Sequence, residues 1–435
     1  MSAEVTVTDT ADTRGARRSV LSWCFYDWAN SAFHTVIITF VFATYFAQRV
    51  AETPEAGTFL WGTAMSLSGL AIAFGGPVVG ALADGAGRRK PWLAAFTAAA
   101  VVAIAAMWFV RPDPSFVVLA LVLAVGANVA FEFGQIFYNA LLPELVPMHR
   151  IGRISGWAWG LGYAGGLLCM GIVLFALVRP DPALFGLDRA SDEHVRATAL
   201  LVALWFGIFA LPLFLFSGDR PSKGLKVGAA MRSGLAGLAD TVRRLREFRT
   251  VGHFLIACMI YTDGINTLFI FGGIYAAGTF GMSIEEVLVF AIVMLVAAGI
   301  GATAFAWFDD WIGAKPTIMI ALIGLTVFGV AVLLIESKTW FVVIAACLGI
   351  FVGPAQAARR SLMAHLAPAD LRGEMFGLYA LSGRITAFLG PAIVGWVTFA
   401  TDSQRWGMAT IPVFLVVGFV LMVPLRVPRP APASS

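Results

Sequence analysis

The sequence predicts an all-α integral membrane protein, with twelve transmembrane helices in two pseudo-symmetric six-helix halves. Three observations predict it. The chain is 59% hydrophobic and only 13% charged, whereas soluble domains carry about 25% charged residues. Twelve stretches are long and apolar enough to cross a bilayer. Short segments of the first half recur, in the same order, in the second.

An α-helical span needs about 20 mostly apolar residues. In order, the stretches are 20–47, 60–82, 92–110, 115–141, 154–178, 198–217, 251–278, 286–308, 316–336, 339–362, 376–400 and 408–425. Backbone polar groups cannot go unpaired in lipid, so unbroken apolar runs of this length must be helices rather than strands. Pro77, Pro212, Pro354, Pro391 and Pro412 fall inside or near spans, where membrane helices tolerate a kink. Residues 1–19 form a polar tail with Arg14, Arg17 and Arg18. The apolar run that follows is too long for a signal-peptide core and contains Asp27, so it reads as a retained first span. Residues 428–435 form a Pro/Ala/Ser-rich tail. Cys24, Cys169, Cys258 and Cys347 are scattered through apolar runs, with neither metal-ligand spacing nor a disulfide framework. They read as small core residues, and no metal or cofactor is expected.

Loop charge sets the orientation. With both termini cytoplasmic, 22 of the 30 Lys and Arg residues lie on the inner side and 7 on the outer, with Arg384 inside a span. An even number of spans agrees with that arrangement. The expected location is the cell membrane, in multi-pass form. The longest basic loop, 218–250, separates the half at 20–217 from the half at 251–427 and reads as a cytoplasmic linker. A short amphipathic helix within it would lie on the anionic inner leaflet. It carries no nucleic-acid reading.

Three internal matches support duplication. "DWANSAF" at 27 pairs with "DGINTLF" at 263, each at the start of the first span of its half. "GALADGAGRRKP", residues 80–91, pairs with "AWFDDWIGAKP", residues 306–316. Pro147, Gly152 and Gly156 recur as Pro368, Gly373 and Gly377 at identical spacing. The offsets of 236, 226 and 221 shrink gradually, as shorter loops in the second half require. Six-span halves related by an axis along the membrane normal are a known transporter plan.

The polar residues inside the spans are the functional candidates. A charge at a helix centre costs about 2.5–3.5 kcal/mol on insertion scales, so such residues usually face a wet cavity or a partner. At about 100° per residue, Asn128, Glu132, Gln135 and Asn139 form one stripe on the fourth span. Asp27, Asn30, Ser31 and His34 share a face of the first span, and Asp263, Asn266 and Thr267 repeat the pattern in the seventh. Polar side chains also glue helices together without any transport role. Burial opposes the ionised carboxyl and a nearby cation favours it, so a cavity Glu can bind and release a proton as the cavity alternates. Glu132 is the first candidate for that proton site, being too deep to snorkel, and Asp27 the second. His34 titrates near neutrality when unperturbed. Arg384 pairs an acid or holds an anionic substrate group, and Arg360 and Gln356 join it as candidates for the pathway.

The motifs also resemble a family. "GALADGAGRRKP" resembles the loop 2–3 signature of the major facilitator superfamily. "SWCFYDWANSAFHTVIITFVF" (22–42), "FYNALLPEL" with "GRISGWAWGLGYAGG" (137–166), and "QAARRSLMAHLAP" with "GLYALSGRITAFLGP" (356–391) resemble its unidentified-major-facilitator branch, which includes the fungal vacuole effluxers. The resemblance covers nearly the whole chain. It departs at Arg359-Arg360-Ser361, where the branch usually shows Ser-Arg-Ser. The resemblance implies the major facilitator fold, with spans one, four, seven and ten lining a central cavity. It further implies an inner gate in which Asp84 meets a helix N-terminus and Arg88. An anion there gains about 0.3–1 kcal/mol or more, enough to bias two states and small enough to break each cycle. Asp310 is the counterpart in the second half, weakened because Ala314 stands where Arg88 would match.

These features predict a secondary transporter of a small solute, working by alternating access. No G-x-x-x-x-G-K-[ST] loop offers direct ATP drive. Proton coupling is suggested by Glu132 and Asp27, and a uniporter stays open. Acids and amides suit an amine or zwitterion, and the family resemblance suggests amino acids, moved outward. A drug/proton antiporter and a non-transporting sensor or scaffold on the same fold are the alternatives. No zinc-binding His-Glu-x-x-His or nucleophile elbow points to an enzyme. The expected partners are the solute, protons and the lipid bilayer, and a monomer is expected.

Overall fold

The structure, a computed structural model, describes residues 9–86, 88–145, 151–219, 248–366, 379, 382–383 and 386–425. Among the described residues twelve apolar helices follow one another. They are α1 (Asp9–Ala32, extended to Val50), α2 (Pro54–Ala86), α3 (Lys90–Ala106), α4 (Val117–Leu145), α5 (Ile151–Ile172) and α6 (Glu193–Phe216). The rest are α7 (Arg249–Phe280), α8 (Ile284–Ile312), α9 (Ala314–Leu334), α10 (Lys338–Leu366), α11 (Leu389–Thr401) and α12 (Thr410–Met422). Eleven helical segments among the described residues are long and apolar enough to span a membrane, and Leu389–Thr401 is a shorter apolar helix. No strand occurs among the described residues. This is an all-α membrane fold.

Two compact units divide the chain. One joins residues 1–50 to 74–235, and the other joins 51–73 to 236–435. The boundary falls inside α2, whose first part belongs with the second unit. The reason is visible in its contacts. Ser66 Oγ donates to Phe388 O at 2.8 Å, and Gln404 Nε2 donates to Thr58 Oγ1 at 2.8 Å.

In the first unit α1 is the enclosed helix, with 83% of its spanning window buried. Two reciprocal bonds staple it to α4. Trp23 Nε1 donates to Tyr138 O and Tyr138 Oη donates to Trp23 O, each at 3.0 Å, over rings stacked 4.5 Å apart. On another side Trp205 of α6 stacks on Trp28 and donates its Nε1 to Trp28 O at 3.2 Å. A third contact is with α5, where a Cβ at Gly165 would stand 2.6 Å from Trp28 O. Only glycine permits that approach. From Phe33 to Phe40 the α1 helix opens into wider π-helical turns, closed by Val41 N–H on Val36 O.

In the second unit α7 holds the matching place, with 61% of its window buried. It packs on α12, where Gly264 lies against Phe414, and on α11, where Gly390 lies against Thr267 and Asp263.

Candidate functional site

The polar residues of α1 and α4 come together in the first unit. Trp23 and Tyr138 fix the register of the two helices. That register carries His34 to Glu132, with Nε2 and Oε1 3.8 Å apart. The imidazole also lies 4.6 Å from the Phe131 ring. Nearer the start of α1, Asn30 Nδ2 donates to Asp27 Oδ1 at 3.2 Å. Asn30 is buried and Asp27 half-buried. Ser31 Oγ bonds back to Trp28 O, which ties this hydroxyl to its own helix. On α4, Asn128, Glu132 and Gln135 are half-buried and Asn139 is exposed. A half-buried imidazole beside a half-buried carboxyl can exchange charge and hydrogen bonds with a polar guest or with water.

The second unit presents a different arrangement at the repeated motif. Asp263 is only 2% exposed. Its Oδ2 accepts from Gly390 N–H at 3.0 Å, and its Oδ1 is buried with no hydrogen-bond partner. Gly390 lies in the first turn of α11, where unpaired N–H groups favour an anion. Thr267 Oγ1 bonds back to Asp263 O at 2.7 Å. Asn266 and Gln356 are half-buried. Asp27 and Asp263 therefore occupy the same place in the repeat with different partners: a side-chain amide for one and a backbone N–H for the other.

Several sequence candidates fall elsewhere. Arg384 lies outside the described residues, as do the side chains of Arg360, Asp84 and Asp310. Arg88 is described and exposed. Its neighbours make the contacts at this end of the first unit. Arg89 N–H donates to Asp219 Oδ1 at 2.9 Å, and its Nη1 donates to Ala140 O. Lys90 Nζ donates to Ser217 O, just past α6, at 2.5 Å. The second unit repeats this contact: Lys315 Nζ, in the first turn of α9, donates to Val423 O at 2.9 Å and Leu425 O at 2.7 Å, just past α12. A cation at a helix C-terminus satisfies carbonyls that the helix leaves open. The matched Lys-Pro of the two loop segments is the sequence signal for this pair, although those loops draw attention first for their aspartates. Another residue not singled out for the pathway is Arg359 of α10, whose Nη1 donates to Thr262 Oγ1 of α7 at 2.8 Å. Among the described residues no group of His, Cys, Asp and Glu has the geometry to hold a metal ion.

Comparison with known proteins places the chain among relatives. The profile of the vacuole effluxer Atg22-like family matches residues 58–433. An uncharacterized MFS-type transporter, YxiO, of Bacillus subtilis (strain 168) is 25% identical over 408 residues, covering 92% of this chain and 93% of that protein. Autophagy-related protein 22-1 of Penicillium rubens is 26% identical over 296 residues, 63% of this chain, which spans about half of that protein (48%). The solved structure of a point mutant of the nucleoside transporter NupG superimposes with a TM-score of 0.68 at 12% identity, over 94% of this chain and 99% of that one. At that identity the likeness speaks for the fold.

Proposed function

The chain belongs to the vacuole effluxer Atg22-like family, a multi-pass transporter of the major facilitator type, and from that premise we propose that it moves a small amine-bearing or zwitterionic solute, such as an amino acid, out of the cell by proton-coupled alternating access. The observation that carries the reading is the His34–Glu132 pair, with the Asp27–Asn30 hydrogen bond nearer the start of the same helix, inside otherwise apolar membrane-long segments. Charged groups within spans are costly unless they face a wet path or a partner. A carboxyl beside an imidazole supplies both a proton site and an acceptor for an ammonium group. The inner basic loops support a protein that works in the cell membrane with both termini cytoplasmic.

The test is flux. Purified protein in proteoliposomes is offered labelled amino acids, amines, sugars and lipophilic cations, with and without an imposed pH gradient. An amine-bearing solute should accumulate against its gradient when the pH difference is set. Glu132→Gln should lower that rate about tenfold or more, a factor equal to about 1.4 kcal/mol. Flux confined to lipophilic cations would replace the reading by drug/proton antiport. Absence of any flux, with a protein partner retained instead, would replace it by a sensor or scaffold.

A further inference from the structure

Arg359 lies in α10, at the last residue of the membrane-long apolar segment Lys338–Arg359, and is half-buried. Two contacts hold its guanidinium in place. Nη1 donates to Thr262 Oγ1 of α7 at 2.8 Å, and the head lies over the Tyr379 ring, 5.6 Å from its centre. Its Nε is buried and has no acceptor. Among the described residues no carboxylate lies within 4.0 Å of it. Asp263 follows Thr262 directly, yet its carboxylate is turned to Gly390 N–H on α11 instead. Cys258 and Tyr261, the other polar groups of α7 at this level, bond to each other, Sγ to Oη at 3.2 Å. A guanidinium is always charged and presents a planar fork of donors that matches a carboxylate. Here it is held in place, half-buried at the end of a membrane-long helical segment and with no carboxylate partner among the described residues, where burial of an unpaired charge is costly. Gln356, three residues earlier on the same face of α10, adds a half-buried amide.

We infer that Arg359 is the anchor for the carboxylate of the transported solute, held ready by the Thr262 hydroxyl and the Tyr379 ring. The inference rests on the transporter reading above and narrows it to solutes that carry a carboxylate.

The experiment is a thermal-shift titration of the full-length protein in lipid nanodiscs. The probes are α-amino acids, each compared with its methyl ester and its decarboxylated amine. At least one acid should stabilise the wild type by mass action, and its ester and amine should do so about tenfold less tightly or worse. Arg359→Gln should lose the preference for the acid, and Arg359→Lys should recover part of it. Thr262→Val keeps the charge and loosens its aim, so it should weaken acid binding more than amine binding. It also serves as the second variant if Arg359→Gln does not fold. Esters binding as well as acids, an unchanged preference in Arg359→Gln, or a wild type that no acid stabilises would each overturn the inference. The two readings fail separately. Sugars or amines that move equally through wild type and Arg359→Gln leave the transporter reading standing and remove this one. Carboxylates that bind at Arg359 and never cross the membrane do the reverse.

Discussion

His34 and Glu132 stand 3.8 Å apart, Nε2 to Oε1, on two helices that are not neighbours in sequence. Their side chains keep 45% and 21% of their exposure, so the pair is neither sealed nor free in solvent. Such a pair is weakly coupled and able to open. The coupling expected is about 0.2–1 kcal/mol, the range of exposed ion pairs. A double-mutant cycle of His34→Asn and Glu132→Gln, read as transport rate, should show non-additivity of that size. Full additivity would remove the pair from the mechanism.

Asp263 makes a sharper stability prediction. Asp263→Asn keeps an oxygen to accept the Gly390 N–H and removes an ionisable group from a buried site. Its thermal stability should match or exceed that of the wild type. Asp263→Ala leaves that N–H without its acceptor, at a cost of about 1–3 kcal/mol. Equal destabilisation by both substitutions would mean that charge, rather than the acceptor oxygen, is what the α11 terminus requires.

Helix approach in the first unit depends on Gly165. In Gly165→Ala the new Cβ would meet the Trp28 carbonyl at 2.6 Å, and backbone cannot rotate away as a side chain can. Overpacking of this kind costs about 1–3 kcal/mol, and α5 should move off the stretch of α1 that carries Asp27, lowering transport as well. Gly171→Ala, six residues on, meets nothing within 4 Å. It should be neutral or gain up to about 1 kcal/mol from helix propensity. Comparable losses for both variants, measured by thermal unfolding in detergent, would show that helix flexibility matters there and not the close approach.

Lys90 and Lys315 should behave as a matched pair. Each donates to carbonyls at the end of the last helix of its unit. Lys90→Met or Lys315→Met should cost about 0.3–2 kcal/mol, the span of cation effects at helix C-termini. Because the sites lie in different units, the double variant should lose the sum of the two. A double loss well above the sum, in thermal unfolding, would show that the two ends are energetically linked.

Much of this protein is local and could be read along the chain. Helix positions follow from unbroken apolar length, because lipid forces every span to satisfy its own backbone. The stripe on α4 is drawn from the helical period; in the structure Asn128, Glu132 and Gln135 are half-buried, whereas Asn139 is exposed. The repeat was legible as paired segments, and its Lys-Pro elements make the same carbonyl contacts in both units. Only the tertiary structure decided which polar groups meet. Arg359 and Thr262 are 97 residues apart, and Asp263 and Gly390 are 127 apart. Nothing in a residue's type names its partner on another helix. That choice depends on how closely two backbones approach, as at Gly165 and Gly390, and on local unwinding such as the π-helical turns from Phe33 to Phe40, which change the face that His34 presents. Periodicity is a property of one helix, whereas a site is a property of the register between several.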